Sequence, residues 1–163
     1  MSKQSLKLKE EQVEVILEKV KKAKGIVLVD YRGINVEQDT NMRNALRAEK
    51  IEYKVLKNRL VLRAFNAAGF TGMDAVLEGP TAVAFSFDDA TAAARIISEN
   101  QKKIPKISMK GGIVEGQIMD AKGITAVASI PSKEVLLGQL LGLLTSPMRS
   151  FAVAVSEVAK KQA

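Results

Sequence analysis

The sequence predicts an α/β protein of the α+β type, in which a sheet-and-helix domain with the split βαβ (ferredoxin-like) plan precedes a C-terminal helical spine. Short, β-branched apolar runs typical of buried strands alternate with segments of helical periodicity. Their order is β-α-β, a short helical crossover, then β-α-β again. Beyond Pro131 the pattern is purely helical. We therefore expect an α/β domain at 1–131 and a helical region at 132–163.

The first half of the α/β domain begins with a helix that ends at Gly25, because apolar residues repeat at i, i+3, i+4 and i+7 over Val13, Ile16, Leu17 and Val20. "GIVLVDY" at 25–31 is predicted to be a buried strand. Asn35 and Gln38 have the spacing of a helix start, and that helix is expected to reach about Glu49. The alternation in "IEYKVL" at 51–56 predicts the second strand.

In the second half, Asn58 is predicted to cap a helix that runs to Ala68. After a linker, "TAVAFSF" at 81–87 predicts a buried strand, and Asp88 or Asp89 is expected to cap a helix to about Gln101. "KISMKGGIVEG" at 106–116 predicts the last strand, with Gly111-Gly112 as a bend or hairpin turn. A phosphate cradle is the weaker interpretation of this motif, since the spacing GxxxxGK[ST] is absent.

The C-terminal region is predicted to hold two helices. One runs from Ser132 to about Leu144, "TSP" at 145–147 interrupts it, and Ser146 and Pro147 open a final helix at 146–163. One narrow sector of the final helix is apolar: Met148, Phe151, Ala152, Val155, Val158 and Ala159. Such a stripe favours docking of a partner in a groove, although packing on the chain itself or binding to a membrane surface are alternatives.

Composition restricts the function. The chain of 163 residues carries a net charge of +7 and has a pI of about 9.6, which favours a polyanionic partner. It contains neither Cys nor His, so thiolate chemistry and the commonest general base are missing. We expect a cytoplasmic protein that is not an enzyme and that needs no metal or cofactor. The N-terminus lacks the apolar core of a secretory signal, and the most apolar window, 135–144, has about half the length of a membrane span.

Positive charge is concentrated in the window 43–63, where seven cations face only Glu49 and Glu52, a net +5. The cations are Arg43, Arg47, Lys50, Lys54, Lys57, Arg59 and Arg63. Arg59 and Arg63 repel one another across one helical turn, and Lys57 and Arg59 lie at the positive end of the helix dipole, which costs about 0.3–1 kcal/mol each. A polyphosphate partner would remove these penalties, and a solvated basic face is the alternative. Because aromatic residues are only 4% of the chain, recognition of RNA phosphates and shape is favoured over base stacking.

Five motifs in a fixed order resemble one protein family. They are "YRG" at 31–33, "LKNRL" at 56–60, "EGPTAVAF" at 78–85, "KGGIVEG" at 110–116 and "IPSKEVLLGQLLGLLTSP" at 130–147. Together they resemble the bacterial large-subunit ribosomal protein number ten, the family at the base of the ribosomal stalk. The resemblance covers essentially the whole chain, and its strength lies in the ordered set rather than in any single motif.

The resemblance implies a scaffold in which the N-terminal domain binds large-subunit rRNA beside ribosomal protein number eleven. The C-terminal helix then carries dimers of the acidic stalk protein, number seven/twelve, which recruit translational GTPases. At about ten residues of helix per dimer, we expect two dimers. By position, the rRNA contacts implied are Arg32, Gly33, Arg43, Lys57 and Asn58, and charge alone adds Arg47, Lys54, Arg59 and Arg63. This chain departs from the family at Arg59, where a small hydroxyl residue is common.

Two other classes of function stay open at this point. An enzyme with a nucleotide-binding α/β fold would need a phosphate loop and a general base, and the sequence offers neither convincingly. A non-ribosomal RNA-binding regulator fits the charge equally well, and the resemblance also implies binding of the protein's own mRNA.

Overall fold

The structure, a computed structural model, describes residues 3–70, 72–74, 76–104 and 106–162. Contacts divide the chain into two units, Met1–Ile130 and Pro131–Ala163. The predicted end of the final helix, Ala163, lies outside the described residues. In chain order the elements are α1 (Lys3–Lys22), β1 (Gly25–Asp30), α2 (Val36–Ala48), β2 (Glu52–Val55), α3 (Asn58–Ala67), β3 (Ala82–Ser86), α4 (Ala92–Lys103), β4 (Ser108–Val114), β5 (Gln117–Asp120), α5 (Ala121–Ala128) and α6 (Lys133–Gln162).

The first unit is built on a five-stranded sheet with the strand order β2-β3-β1-β4-β5, in which all neighbouring strands are antiparallel. β1 and β2 are joined through α2 but are separated in the sheet by β3, and β3 and β4 are likewise joined through α4 and separated by β1. This is the split βαβ arrangement. The predicted fold class is therefore confirmed, with β5 added beyond β4 as an edge strand.

Both faces of the sheet are buried, which explains why its central strands are continuously apolar. Alternate residues of β1 point to opposite faces: Val27 and Val29 join the core beneath α2 and α4, while Ile26 and Leu28 join the core beneath α1 and α3. The first core includes Met42, Leu46 and Ile97, and the second includes Ile16, Phe65 and Phe85. Each fully buried side chain of this size contributes roughly 1.5–3 kcal/mol.

The helix starts agree only in part with the sequence predictions. Asn35 and Gln38 open α2 as expected, and the Asn35 backbone N–H donates to Gln38 Oε1 at 3.2 Å. At α4 the N-cap is Thr91 instead of an aspartate. Asp89 accepts hydrogen bonds from the Thr91 backbone N–H and hydroxyl, both at 3.1 Å, so its carboxylate orders the turn just before the helix.

The prediction of a turn at Gly111-Gly112 is wrong, because both glycines lie inside β4 and are buried. A Cβ on Gly112 would lie 2.1 Å from the Ile26 carbonyl oxygen, so this position is glycine because β1 approaches closely. The hairpin instead turns at Glu115 and Gly116, whose φ angles are 49° and 82°. The turn leads into β5 and α5, which the sequence analysis did not predict.

The prediction of two C-terminal helices is also wrong, because α6 is continuous and contains Pro147. A proline lacks the backbone donor that would bond to the carbonyl oxygen four residues earlier, here that of Leu143, and this part of α6 is exposed, so water can reach that oxygen. Thr145 Oγ1 donates to the carbonyl oxygens of Leu141 at 3.0 Å and Gly142 at 3.2 Å, and Ser150 Oγ donates to that of Pro147 at 2.9 Å. Ser146 is therefore an interior helical residue and not an N-cap.

Across the described residues, no single helix is both long and apolar enough to cross a membrane; α5 and α6 pass that test only when they are taken together across the break between them.

Candidate nucleic-acid interface

Four connecting segments meet at one end of the sheet, called the sheet end below. The register places Asp30, at the end of β1, opposite Ser108 at the start of β4. Ala82, at the start of β3, pairs with Val29 of β1 and with Val55 of β2. The chain leaving β1, the chain leaving β2, and the segments entering β3 and β4 therefore lie side by side. These segments carry the motifs "YRG", "LKN", "EGP" and the residues just before "KGG".

The segment entering β3, residues 77–81, is held by two side chains from different elements and is called the 77–81 loop. Asn58 Nδ2 donates to the carbonyl oxygens of Leu77 and Gly79, the latter at 2.6 Å. Lys110 Nζ donates to the carbonyl oxygens of Glu78 at 2.6 Å and Pro80 at 3.0 Å, and to Thr81 Oγ1 at 3.2 Å. The loop is thus fixed from both sides by hydrogen bonds to its backbone.

Asn58 does not cap α3, contrary to the prediction. The N-cap is Lys57, and Asn58 is the first helical residue, from which its amide reaches the 77–81 loop. Because Asn58 is itself the first helical residue, its side chain lies one residue beyond the capping position. No acidic residue lies in the first turn of α3.

Lys110 reaches the loop because it sits at an irregularity in β4. Leu28 pairs with Gly111, and the next residue, Val29, pairs with Met109, so Lys110 is an extra residue between two pairs. A β-bulge of this kind redirects a side chain out of the regular alternation. The Lys110 side chain is 17% exposed, and its Nζ also lies 3.5 Å from Asp30 Oδ2.

Arg32 is held against the same loop by Asp30. The Arg32 backbone N–H donates to Asp30 Oδ1 at 3.1 Å, and Arg32 Nε lies 3.6 Å from Asp30 Oδ2. A Cβ on Gly79 would lie 2.7 Å from Arg32 Nη2, and Gly79 has a φ of +74°. The positive φ favours glycine here, and the absence of a Cβ lets the guanidinium group lie close to the loop. The Arg32 side chain remains 67% exposed.

Gly33 follows with the same φ of +74°, and a Cβ there would lie 3.1 Å from Lys106 Cδ. Arg32, Lys57 and Lys106 are all exposed at the sheet end. Arg32 and Lys57 were predicted from the sequence as RNA contacts, whereas Lys106 and Lys110 were not. Lys106 could have been found from the split βαβ plan, because that plan places the start of β4 beside the end of β1. Lys110 could not have been found in this way, because its contacts with the 77–81 loop depend on the β-bulge in β4.

Arg59 and Arg63 lie on the exposed side of α3, one turn apart, and the opposite side of the helix is buried. In the described part of the chain, neither forms an ion pair with an acidic side chain, and Lys57 and Arg47 also form none. These four cations are free to meet an external anion.

Arg43 and Lys54 are placed on opposite faces of the edge strand β2. Arg43 Nε contacts Asp39 Oδ2 at 2.7 Å, and its guanidinium carbon lies 4.8 Å from the ring centre of Tyr53, which packs in the core beneath α2 and α4. Lys54 points to the face covered by α1, where its Nζ contacts Glu52 Oε1 at 2.6 Å. The structure therefore does not bring these two predicted contacts together. Arg47 is exposed on α2, one turn beyond Arg43.

Glu52 is shared between two lysines, because Lys19 Nζ also contacts its Oε1 at 2.5 Å. Partial burial opposes ionisation of Glu52, but the hydrogen bonds from Lys19 and Lys54 prevail and hold its pKa below the usual value. The hydrogen bond to Glu52 likewise raises the pKa of Lys54. One carboxylate offsets only one of the two ammonium groups, so Lys54 keeps part of its charge but offers a ligand less than Lys57, which is unpaired among the described residues.

The apolar stripe predicted on the last helix lies on the C-terminal half of α6. All six of its members are exposed: Met148, Phe151, Ala152, Val155, Val158 and Ala159. Met148 and Phe151 are the most exposed, at 76% and 73%. Polar residues occupy the other side, where Lys160 Nζ lies 3.4 Å from Glu157 Oε1. Val153, off the stripe, is also exposed.

Nothing in the described residues resembles a metal centre: no group of three or more acidic side chains is arranged to hold an ion.

Both the α/β unit and the C-terminal helical region match families of known proteins. The profile described as "Ribosomal protein L10" matches residues 4–102, and that described as "Ribosomal protein uL10 C-terminal region" matches residues 130–163. Two similar proteins are each called "Large ribosomal subunit protein uL10", one from Clostridium acetobutylicum and one from Macrococcus caseolyticus. Each is 41% identical to this chain over 162 residues, which is 99% of the chain and 96% and 94% of the respective relatives. The resemblance seen in the sequence motifs is confirmed, and the chain belongs to the ribosomal protein L10 family.

Proposed function

We propose that this chain forms the base of the ribosomal stalk, binding large-subunit rRNA through its α/β unit and dimers of the acidic stalk protein through α6. As a member of the ribosomal protein L10 family it is a structural, non-enzymatic constituent of the large ribosomal subunit, and it acts in the cytoplasm on the ribosome.

The observation that carries the rRNA assignment is the convergence of cations at the sheet end. Arg32 and Lys57 arrive there from two different connections, and Asn58 fixes the loop between them. Exposed cations held by ordered backbone suit the phosphates of a folded RNA, which is recognised mainly through shape and backbone. The proposed surface comprises Arg32, Gly33, Lys57, Asn58, Arg59 and Arg63. Of the other predicted contacts, Arg43 and Arg47 lie on the α2 side of β2 and Lys54 lies on the α1 side, so they would meet other parts of the RNA.

Charge reversal at the sheet end tests the rRNA assignment. The full-length Arg32→Glu, Lys57→Glu variant should bind deproteinised large-subunit rRNA about 100-fold more weakly in filter binding, because two charge-assisted hydrogen bonds are lost. Lys21→Glu, Lys22→Glu is the matched control, since it changes the net charge equally at the end of α1, where the chain enters the opposite end of the sheet. Equal losses of affinity in both variants would show that the sheet end binds RNA no more specifically than any other basic surface of the chain.

The apolar stripe on α6 supports the assignment of the stalk protein. Phe151, Val155 and Val158 are exposed, and burying each would contribute roughly 1.5–3 kcal/mol before the cost of ordering the partner. α6 continues from Met148 to Gln162, and at about ten residues of helix per dimer by the family pattern this length is closer to two dimers than to three. Native mass spectrometry of the complex should therefore show two dimers per chain, and three dimers would contradict this count.

The remaining partners follow from the same assignment. An rRNA site in the α/β unit would place the chain near ribosomal protein number eleven, and the stalk dimers on α6 would recruit translational GTPases indirectly. No cofactor and no membrane enter the proposal.

A further inference from the structure

We infer that Lys110 and Asn58 are positioning residues of the rRNA surface: both fix the 77–81 loop, and Lys110 also holds Asp30, which pairs with Arg32, the residue that makes the phosphate contact. The inference rests on the proposed rRNA function of the sheet end. It divides the polar residues there into those that bind RNA and those that hold the binding residues in place.

Lys110 has no hydrogen left for a phosphate. Its ammonium group carries three donors, and three oxygen atoms accept them: the carbonyl oxygens of Glu78 and Pro80 and the hydroxyl of Thr81. Asp30 balances its charge at 3.5 Å. Ordering a long lysine side chain costs rotamer entropy, so a lysine that only presents charge would be expected at an exposed tip. Lys110 is instead redirected inward by the bulge in β4.

Asn58, like Lys110, has all its side-chain hydrogens engaged within the chain. Its amide nitrogen has two hydrogens, and they go to the carbonyl oxygens of Leu77 and Gly79. The remaining side-chain oxygen is an acceptor, and an acceptor cannot bind a phosphate oxygen. The resemblance implies an rRNA contact at Asn58; the geometry gives it the task of holding the loop.

Arg32 is the residue that these contacts orient. Asp30 accepts a hydrogen bond from the Arg32 backbone N–H and lies 3.6 Å from its Nε, which leaves the terminal amino groups of the exposed guanidinium for a bidentate contact with phosphate. The 77–81 loop limits where that guanidinium can lie, because Gly79 is directly beside Nη2. If Lys110 is removed, the loop loses three hydrogen bonds, and Asp30 is left to pair with Arg32 alone. The charge of Arg32 is then more fully neutralised by Asp30, and the loop beside it is less ordered.

A double-mutant cycle on the full-length chain distinguishes positioning from direct contact. The probe is deproteinised large-subunit rRNA in filter binding at fixed salt. We expect Lys110→Met to weaken binding about tenfold and Arg32→Met by at least as much, while the double variant binds within about twofold of Arg32→Met, because both changes remove one contact. Lys106→Met is the control for loss of one exposed positive charge at the sheet end, and its effect should add to that of Arg32→Met.

Hydrogen exchange of the RNA-free chain supplies the structural readout. The amides of Val76 and Leu77, which donate to the Met73 carbonyl oxygen just before the loop, should exchange faster in Lys110→Met, while those of β1 and β3 stay protected. Faster exchange with unchanged rRNA affinity would show a purely structural clamp and overturn the inference. Additive losses in the cycle would also overturn it, since they would mean that Lys110 binds RNA directly.

Two further outcomes keep the inference separate from the function on which it rests. If Lys110→Met does not fold, Asn58→Ala removes the other support of the loop without changing the charge, and the same non-additivity with Arg32→Met is expected. If the wild-type chain does not bind rRNA, the proposed function itself fails and the inference falls with it. If the wild-type chain binds and both loop variants bind equally well, only the inference fails.

Discussion

Replacing Tyr53 by Phe should stabilise this protein, although it removes a polar group from the core. Tyr53 is only 9% exposed, and within the described residues its hydroxyl is buried without a hydrogen-bond partner. A buried hydroxyl without a partner costs about 1–3 kcal/mol, and Phe keeps the ring that packs beneath Arg43. We therefore expect Tyr53→Phe to raise the free energy of unfolding by about 1–2 kcal/mol, equivalent to an increase in Tm of roughly 3–8 °C.

The same substitution changes how stability depends on pH. Burial is the main cause that raises the pKa of Tyr53 from 10.0 to about 12. Because the unfolded chain loses this proton more readily than the folded one, the wild-type protein loses stability as the pH rises from about 10 towards 12. Phe has no proton to lose, so the stability difference between variant and wild type should widen over that interval.

Urea unfolding followed by circular dichroism, at neutral pH and again above pH 10, measures both effects. Tyr31→Phe is the control, because Tyr31 is only partly buried, and its effect at neutral pH should stay within about 0.5 kcal/mol. A Tyr53→Phe variant that is less stable than the wild type at neutral pH would show that the hydroxyl is satisfied, and the account of this part of the core would be wrong.

Three other results are expected. Phe151→Asp should weaken binding of the acidic stalk protein by about 100-fold or more in calorimetry while leaving rRNA binding intact, whereas Val153→Asp, off the stripe, should bind normally. With six to eight phosphates contacted, log K for rRNA should fall against log salt with a slope of about −4 to −7, and a slope near zero would contradict a phosphate-binding surface. Gly112→Ala should lower the free energy of unfolding by about 3 kcal/mol, because its Cβ would lie 2.1 Å from the Ile26 carbonyl oxygen, while Gly138→Ala, with nothing within 4 Å, should not lower Tm.

The periodic parts of the chain were predictable from the sequence, because their signals are local. The apolar run at 25–31 and the alternation at 51–56 gave β1 and β2, and the order of elements gave the split βαβ sheet. Gly111-Gly112 was misread as a turn, since a glycine pair that allows close approach of a neighbouring strand looks the same in sequence as a pair that allows a reversal. Pro147 was misread as a helix start, because a proline in the first turn of a helix and one inside an exposed helix look alike in sequence.

The positive charge of the candidate site was predictable from the sequence, but which cations are exposed, which are paired and which hold the loop was not. The excess of cations at 43–63 identified Lys57, Arg59 and Arg63, which the structure leaves exposed. It also included Arg43 and Lys54, which are engaged by Asp39 and Glu52, since sequence counts do not show which charges neutralise one another in space. The role of Lys110 depends on contacts about 30 residues away along the chain, and no local pattern reports them.

The central claim is that one chain carries two independent binding surfaces, and the most direct test is a pull-down from bacterial lysate with identification of the bound RNA and protein. Three full-length baits are compared: wild type, Arg32→Glu with Lys57→Glu, and Phe151→Asp. The account predicts that the wild type retains both rRNA and a small acidic dimeric protein, that the charge-reversed bait retains only the protein, and that Phe151→Asp retains only the rRNA. Simultaneous loss of both partners in either variant, or retention of both in all three, would contradict two separate surfaces.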